Sequence, residues 1–425
     1  LVPAGLQIDV NSQVIVESFQ QYLAIAEGDE VSLYADGQLS GSLSWGAEIK
    51  RMCFVDSPLL TESELIVLGE DWAVMCRVEG IFAQESGWPV SFPTTIDAYM
   101  IADTPENDAS LIIVAGEELI CYSIDEPTDI PTYQDLPDFI LPVTSMAWAA
   151  DDPAGDLGSR FCFAGGHLNH QLFTMSFYGD SLSAGNADEN ERVVRAPLAV
   201  DLHGNGYYEF IAPRLFADAY FDIQEELWMV SYSQEQGHHG TGVLDMGMRS
   251  LSMENGVEAL IPFRNTDYPS RSAVFGNDYY PYSDYMTDLK LIDLGHNSPE
   301  VRIVHAVPPR RRWLNVGDFN GNGMHDILMV DRGDGVHLLR GTGDLNFSAW
   351  HSNGPKVHHY TEMNFRPVFW QVNGETLLGC WENGHLTFYQ LPTNEWPVWT
   401  RDAGPGNRRF MPNQAWTPPS ASLNP

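Results

Sequence analysis

Short apolar runs separated by Gly, Asp and Pro turns dominate this chain, and many of them alternate apolar with polar positions, as half-buried β-strands do. The first group contains four such runs, at residues 12–17, 22–26, 30–34 and 38–43. Similar groups begin near residues 49, 96, 143, 193, 247, 313 and 362. No segment carries the apolar period of about 3.6 residues that marks an amphipathic helix. The pattern therefore predicts an all-β protein.

The groups recur with a period. Roughly eight of them, spaced by about 45–60 residues and each with up to four short strands, match the anatomy of β-propeller blades. We predict a single β-propeller of about eight four-stranded blades over residues 1–402. Seven blades are the alternative, because the first group can split to close the ring. From Arg401 the composition changes to Gly, Pro and Asn, which predicts a C-terminal tail or linker at residues 403–425.

One loop in the seventh group has a cation-binding pattern. Residues 318–326 read Asp-Phe-Asn-Gly-Asn-Gly-Met-His-Asp, with oxygen-bearing side chains at positions 1, 3, 5 and 9 and a turn glycine at position 6. A hard cation such as Ca²⁺ takes about six to eight oxygen ligands, which a tightly curled loop supplies. The predicted ligands are four side chains and the carbonyl of residue 324: Asp318, Asn320, Asn322, Met324 and Asp326. The alternative is an Asn/Gly-rich hairpin turn with no ion.

The stretch from Trp313 to Phe347, with its strand, DxNxNGxxD loop, apolar strand and hairpin, resembles one repeat of the FG-GAP/VCBS (integrin-α-like) propeller family. The resemblance implies a calcium-stabilised propeller, secreted or at a cell surface, that binds partners through loops on its faces. A second loop copies the spacing in degenerate form, and its candidate ligands are Asp201, Asn205 and Glu209. The chain begins at Leu1 without a signal peptide, which predicts a processed product or part of a longer secreted protein.

The amino-acid composition limits the classes of partner that are expected. Asp and Glu total 58 against 22 Lys and Arg, giving a formal net charge of −36 at pH 7. So acidic a chain is repelled by nucleic acid and anionic lipid, and neither is expected as a partner. No apolar run of about 18 residues exists, so no membrane span is expected. The cysteines lie singly in apolar runs and are expected to be buried, although one Cys53–Cys76 bridge stays open.

Two further constellations are candidates for function. A tyrosine-rich stretch predicts either a ligand-binding loop or packing between blades: Tyr279, Tyr280, Tyr282 and Tyr285. Residues 179–185 resemble the nucleophile block of GDSL esterases, and residues 334–337 resemble their Asp-x-x-His block. The resemblance implies Ser181 as nucleophile, His337 as base and Asp334 as its orienting group. That chemistry needs a helix after the serine, and no helical pattern follows, so a hairpin turn is the preferred interpretation.

These patterns favour a binding or adhesion module for a protein or glycan. The first alternative is a structural subunit of an extracellular polymer that self-assembles through the C-terminal tail. The second is an enzyme, either a polysaccharide lyase or an esterase, for which the sequence assembles no complete set of acids and bases around one face. Fold alone does not choose among these functions.

Overall fold

The structure is a computed structural model of the 425-residue chain. It describes the following residues: 2–10, 14–55, 63–103, 109–124, 132–136, 141, 143–149, 160–165, 171–176, 182–184, 192–193, 198–200, 209–217, 223–233, 237–250, 261–264, 272–277, 287–293, 300–307, 312–317, 326–331, 335–342, 347–351, 368–382 and 385–391. All regular structure in these residues is β-strand, so the all-β prediction is confirmed. No described helix is long and apolar enough to span a membrane.

The strands form eight antiparallel sheets that follow one another along the chain. The first sheet consists of β2 (Val14–Phe19), β3 (Tyr22–Glu27), β4 (Glu30–Ala35) and β5 (Gln38–Ser44). The second consists of β6 (Arg51–Val55), β7 (Glu64–Leu68), β8 (Trp72–Arg77), β9 (Ala83–Gln84) and β10 (Val90–Ser91). The third consists of β11 (Ile96–Asp103), β12 (Ala109–Ala115), β13 (Glu118–Ser123) and β14 (Thr132–Asp135). The fourth consists of β15 (Val143–Ala149), β16 (Arg160–Gly165), β17 (Gln171–Ser176) and β18 (Leu182–Ala184).

The second half of the chain repeats this plan. The fifth sheet consists of β19 (Arg192–Val193), β20 (Leu198–Val200), β21 (Glu209–Ala217), β22 (Ile223–Ser233) and β23 (Gly237–Ser250). The sixth consists of β24 (Ile261–Arg264), β25 (Ser272–Asn277), β26 (Thr287–Asp293) and β27 (Glu300–Val307). The seventh consists of β28 (Arg312–Gly317), β29 (Asp326–Asp331), β30 (Gly335–Gly341) and β31 (Phe347–His351). The eighth consists of β32 (Val368–Val372), β33 (Glu375–Glu382), β34 (His385–Gln390) and β1 (Val2–Asp9).

The eighth sheet joins the two ends of the chain. Its outer strand is β1, which pairs antiparallel with β34 from Val2–Gln390 to Asp9–His385, with a bulge between Pro3 and Gln7. Gly5 lies in that bulge with φ of +73°, a conformation that a side chain would strain. The sequence analysis did not predict β1. The outer strand that the sequence predicts for the eighth group, near residues 396–399, lies outside the described residues.

Neighbouring sheets pack through their apolar faces. Contacts between the first strands of neighbouring sheets join β2 to β6, β11 to β15, and β24 to β28. The strand β32 of the eighth sheet likewise contacts β2 of the first. One apolar cluster spans the first three sheets, and a second joins the first sheet to the eighth. Among the side chains that the structure describes, the core therefore lies in layers between neighbouring sheets.

The cysteines follow the expectation of buried apolar residues. Of the cysteines whose side chains the structure describes, Cys53, Cys76, Cys121 and Cys380 are all buried and form no disulfide, so the Cys53–Cys76 bridge that the sequence left open does not form. Burial is the main cause that raises the pKa of Cys76 to about 12, and the carboxylates of Glu85 and Glu64 add to it. These thiols serve packing rather than redox chemistry.

Candidate functional site

The ends of the predicted calcium loop meet at the hairpin between β28 and β29. Gly317 and Asp326 are direct partners in this ladder, so residues 318–325 connect two adjacent strands. This arrangement agrees with the prediction of a strand-to-strand loop. The predicted ligands Asp318, Asn320, Asn322 and Met324 lie outside the described residues.

Asp326, the last predicted ligand, is fully buried, and its Oδ1 accepts a hydrogen bond of 2.8 Å from the backbone N–H of Gly341. An ionised carboxylate in such a position is stable only when paired or hydrogen-bonded. Oxygen donors from Asp, Asn and a carbonyl are those that Ca²⁺ prefers. The Gly341 N–H therefore fixes the orientation of the Asp326 carboxylate, and the cation itself stays a prediction.

The remaining predicted site residues have little described structure. Among side chains that the structure describes, no group of three His, Cys, Asp or Glu is arranged to hold a metal ion. Asp201 and Asn205 lie outside the described residues, and Glu209 is placed only as the first residue of β21. The four tyrosines at 279, 280, 282 and 285 also lie outside them.

The two esterase-like blocks fall on different sheets. Leu182–Ala184, within the first block, forms β18 at the outer edge of the fourth sheet. His337 lies in β30 of the seventh sheet, where it pairs with Met329. Ser181 and Asp334 lie outside the described residues, so the arrangement of these three groups stays a prediction.

A different candidate surface lies at one end of the first three sheets. In each sheet a hydrogen bond from a residue that directly follows the outer strand holds the turn between the second and third strands. These turns lie at residues 28–29, 69–71 and 116–117. Trp45 N–H donates to the Asp29 carbonyl (3.1 Å), Phe92 N–H to that of Asp71 (2.8 Å), and Leu136 N–H to that of Glu117 (2.8 Å). The same backbone device therefore recurs in three consecutive sheets.

A further backbone hydrogen bond, from the segment that leads into the next sheet, holds each of the first two turns. Ile49 N–H donates to the Gly28 carbonyl at 2.8 Å, and Ile96 N–H donates to the Glu70 carbonyl at 2.7 Å. Because Ile49 precedes β6 and Ile96 begins β11, these bonds place the turns of neighbouring sheets at the same end. The turns form one continuous surface held by backbone hydrogen bonds.

Carboxylates line this surface. We call it the acidic face and define it by the following residues: Glu27, Asp29, Glu30, Glu70, Asp71, Glu117 and Glu118. Most of these residues are exposed. Lys50 also lies at this end, and its Nζ is 2.6 Å from Glu48 Oε2. The surface is therefore strongly negative and presents its charge on a fixed backbone.

One arginine is held at the inner part of this end. The Arg51 guanidinium lies 5.3 Å from the centre of the Tyr99 ring, a cation–π distance. Nearby Asp97 is half-buried, and its Oδ2 accepts a 3.2 Å hydrogen bond from Gly116 N–H. Burial raises the pKa of Asp97, while the Gly116 N–H and the Arg51 charge lower it. This group joins the second sheet to the third at the rim of the acidic face.

The sequence analysis did not find the acidic face. Its local signal was present, since acidic residues follow the second strand in Glu27-Gly-Asp-Glu30, Glu70-Asp71 and Gly116-Glu-Glu118. Acidic residues are also common in ordinary turns. The register of each sheet was needed to place the three turns at one end.

Comparison with known proteins gives only distant likenesses. No protein-family model and no curated protein sequence matches the chain. Among solved structures, BBS1N in complex with ARL6DN is 11% identical over 92% of this chain and 96% of that chain, with a TM-score of 0.43. A chain of the yeast Nup82–Nup159–Nup116 nucleoporin complex is 8% identical over 80% and 97%, with a TM-score of 0.41. The WD40 domain of SCAP from fission yeast is 10% identical over 75% and 79%, with a TM-score of 0.38.

Proposed function

We propose that the chain is a single eight-bladed β-propeller that acts as a binding module, and that a protein with a basic surface docks on its acidic face. Three features support the propeller: eight successive antiparallel sheets, contact between β32 and β2, and the pairing of β1 with β34. Propellers bind partners through the loops at the two ends of their sheets. The fold alone leaves the partner open.

The observation that carries the proposal is the rigid construction of the acidic face. Its turns are fixed by hydrogen bonds from Trp45, Phe92 and Leu136 to turn carbonyls, so the carboxylates are presented without further ordering of the backbone. A preorganised surface loses less conformational entropy on binding. Lys and Arg side chains of a partner complement its charge, which speeds association at low salt. An uncharged glycan gains nothing from this charge.

A matched pair of double variants tests the proposal. Glu70→Gln with Glu117→Gln removes two exposed carboxylates from the acidic face. Asp36→Asn with Glu375→Gln removes two exposed carboxylates from the opposite end of the first and eighth sheets. Binding to a panel of immobilised Lys/Arg-rich peptides is then compared with binding to a glycan array. We expect saturable, salt-sensitive peptide binding, weakened about tenfold or more by the first variant only, as for loss of complementary charge. Equal loss in both variants, or glycan binding alone, would contradict the proposal.

The binding module is further proposed to be calcium-stabilised and to act outside the cell or at its surface. The buried carboxylate of Asp326 and the oxygen-rich loop that precedes it support a structural Ca²⁺ held by Asp318, Asn320, Asn322, Met324 and Asp326. An ion that binds only the folded state stabilises it by mass action. Calcium is expected to raise the unfolding temperature of the wild type but not that of Asp318→Ala. An equal response in both proteins would remove the loop from the proposal.

A further inference from the structure

Two tryptophan side chains meet on the acidic face, in the gap between the turns of the first and second sheets. Trp45 directly follows β5, and Trp72 begins β8. Their ring centres are 6.1 Å apart, and the ring planes are tilted by 37° to each other. Both side chains pack against the apolar core and remain partly exposed. We call Trp45 and Trp72 the tryptophan pair.

The first sheet differs from the next two at the position of Trp45. Trp45, Phe92 and Leu136 are equivalent, because each directly follows an outer strand and donates its N–H to a turn carbonyl. Phe92 and Leu136 are only 6% and 4% exposed, so both side chains belong to the core. Trp45 is partly exposed and meets a second aromatic ring. Large aromatic side chains that reach the surface in this way are typical of binding interfaces.

Both rings of the tryptophan pair are held in place. The indole Nε1 of Trp45 donates a hydrogen bond of 3.1 Å to Gln84 Oε1. The indole of Trp72 lies against Gly69, at a place where a Cβ would overlap it. Rings that are already positioned lose little conformational entropy when a ligand binds. The tryptophan pair is therefore a preorganised aromatic surface.

Carboxylates flank the tryptophan pair on both sheets. On the first sheet, Ser44 directly precedes Trp45, and its Oγ donates a hydrogen bond of 2.8 Å to Asp29 Oδ2. On the second sheet, the exposed Asp71 directly precedes Trp72. Aromatic ring faces attract cations, and neighbouring carboxylates add to that attraction. This combination favours a cationic side chain over a neutral sugar ring.

We propose that the tryptophan pair and its flanking carboxylates bind an arginine side chain of the basic partner. This inference rests on the proposed function and names the side chain that anchors the partner. A guanidinium is planar, stacks on aromatic rings and donates hydrogen bonds in a fixed fork, so it meets a ring and a carboxylate together. A lysine ammonium carries the same charge without the planar fork. The acidic face already contains such a contact within the chain, since Arg51 lies 5.3 Å from the centre of the Tyr99 ring.

Fluorescence anisotropy of the full chain with two labelled peptides tests the proposal. In one peptide arginine alternates with glycine, and in the other lysine replaces every arginine. Complementary charge alone predicts equal binding of the two peptides. We expect the arginine peptide to bind about three- to tenfold more tightly, as for a cation–π contact at a partly exposed site. Equal affinities would overturn this inference and leave the proposed function standing, whereas binding of neither peptide would overturn both.

Variants of the tryptophan pair locate the preference for arginine. Trp45→Leu and Trp72→Leu each remove one ring and should lose most of the preference, while binding of the lysine peptide stays as in the wild type. The control is Tyr34→Leu, which removes a partly exposed ring at the opposite end of the first sheet, where it packs at 6.3 Å from Trp370. It should keep the preference, as should Trp72→Phe in part, and Trp72→Phe decides the question if Trp72→Leu does not fold. A preference that survives in both leucine variants, or a glycan that binds the wild type but neither leucine variant, would overturn the proposal.

Discussion

The junction between the first and second sheets and the seam between the eighth and first sheets bury similar aromatic residues but are built differently. At the junction the chain runs directly from β5 to β6, and Phe54 packs against Phe19 at 6.2 Å and Tyr22 at 6.5 Å between ring centres. At the seam residues 10–13 connect β1 of the eighth sheet to β2 of the first, but β32, β33 and β34 come from the other end of the chain. There Trp370 packs against Phe388 at 5.0 Å and Tyr34 at 6.3 Å.

Hydrogen bonds link β32, from the far end of the chain, to the first sheet. The indole Nε1 of Trp370 donates to the Gln21 carbonyl at 2.8 Å, and the Gln371 N–H donates to the Gln20 carbonyl at 2.8 Å. The strand β1 then adds a third link through its pairing with β34. Contacts between residues far apart in sequence carry a larger loop-closure cost than contacts along a connected chain. The comparison teaches that the seam joins opposite ends of the chain through specific hydrogen bonds as well as apolar packing, whereas the junction joins segments that are close in sequence.

Truncating one buried aromatic residue in each of the two regions is expected to have the largest effect on stability. Both Trp370→Ala and Phe54→Ala delete a fully buried ring, and each is expected to lower the free energy of unfolding by about 3–5 kcal/mol. Trp370→Ala also leaves the Gln21 carbonyl without its donor, so it should be the more damaging of the two. Urea unfolding measures both values, and equal losses would contradict the special role of the indole N–H.

Trp370→Phe isolates the hydrogen bond. It keeps an aromatic ring but removes the donor to Gln21, and it should cost about 1–3 kcal/mol for the carbonyl that is left unsatisfied. Hydrogen exchange should quicken first in β32 and β1, while the second sheet stays protected. Uniform loss of protection across both regions would contradict a local effect.

Two glycines sharpen the comparison with a smaller effect. A Cβ on Gly379 would lie 2.8 Å from Phe388 and 2.9 Å from Val368, two fully buried side chains of the eighth sheet. Gly379→Ala should therefore cost about 1–3 kcal/mol through overpacking. A Cβ on Gly69 would overlap the indole of Trp72, a half-buried side chain that must turn to make room. Gly69→Ala should cost less by the same urea measurement, and the reverse order would contradict this account.

The thiols of the two regions provide the mildest probe. Burial and two nearby carboxylates raise the pKa of Cys76 to about 12, so the folded protein holds its proton more tightly than the unfolded chain. The stability that this group contributes is complete below about pH 9, its ordinary pKa, and is lost as the pH rises toward 12. At pH 8 a thiol reagent should label neither Cys76 nor Cys380 in the native protein. In mild urea it should label Cys380, in the sheet that contains β1, before Cys76. Mass mapping measures the order of labelling, and labelling of Cys76 first would contradict this account.

The short-range part of the fold was predictable from the sequence. The run at 22–26 became β3 (Tyr22–Glu27), and the run from Glu64 became β7 (Glu64–Leu68), because alternation and turn residues are local signals. The strand β1 was missed because Pro3 and Gly5 interrupt its pattern. Its partner is also remote, since Asp9 and His385 are 376 positions apart in the sequence. No local signal reports a pairing over that distance.

The candidate sites divide in the same way. The spacing of Asp318 to Asp326 is a local motif, and the structure places Asp326 buried at the mouth of the expected hairpin. The acidic face depends on register between turns and strands, which sequence spacing does not contain. Sites built along one loop were therefore visible in the sequence, and sites built across strands were not.

The closed ring is the central claim, and a disulfide between β1 and β34 tests it most directly. Gln7 and Thr387 are direct register partners in β1 and β34, close enough for a bridge when both are changed to Cys. Pro3→Cys with Thr387→Cys is the control, because Pro3 pairs with Tyr389 instead. The account predicts that mild oxidation links positions 7 and 387 within one chain and raises the unfolding midpoint, with little linkage in the control. Free thiols at both positions in a folded protein, or equal linkage in the control, would contradict the closure of the ring by β1.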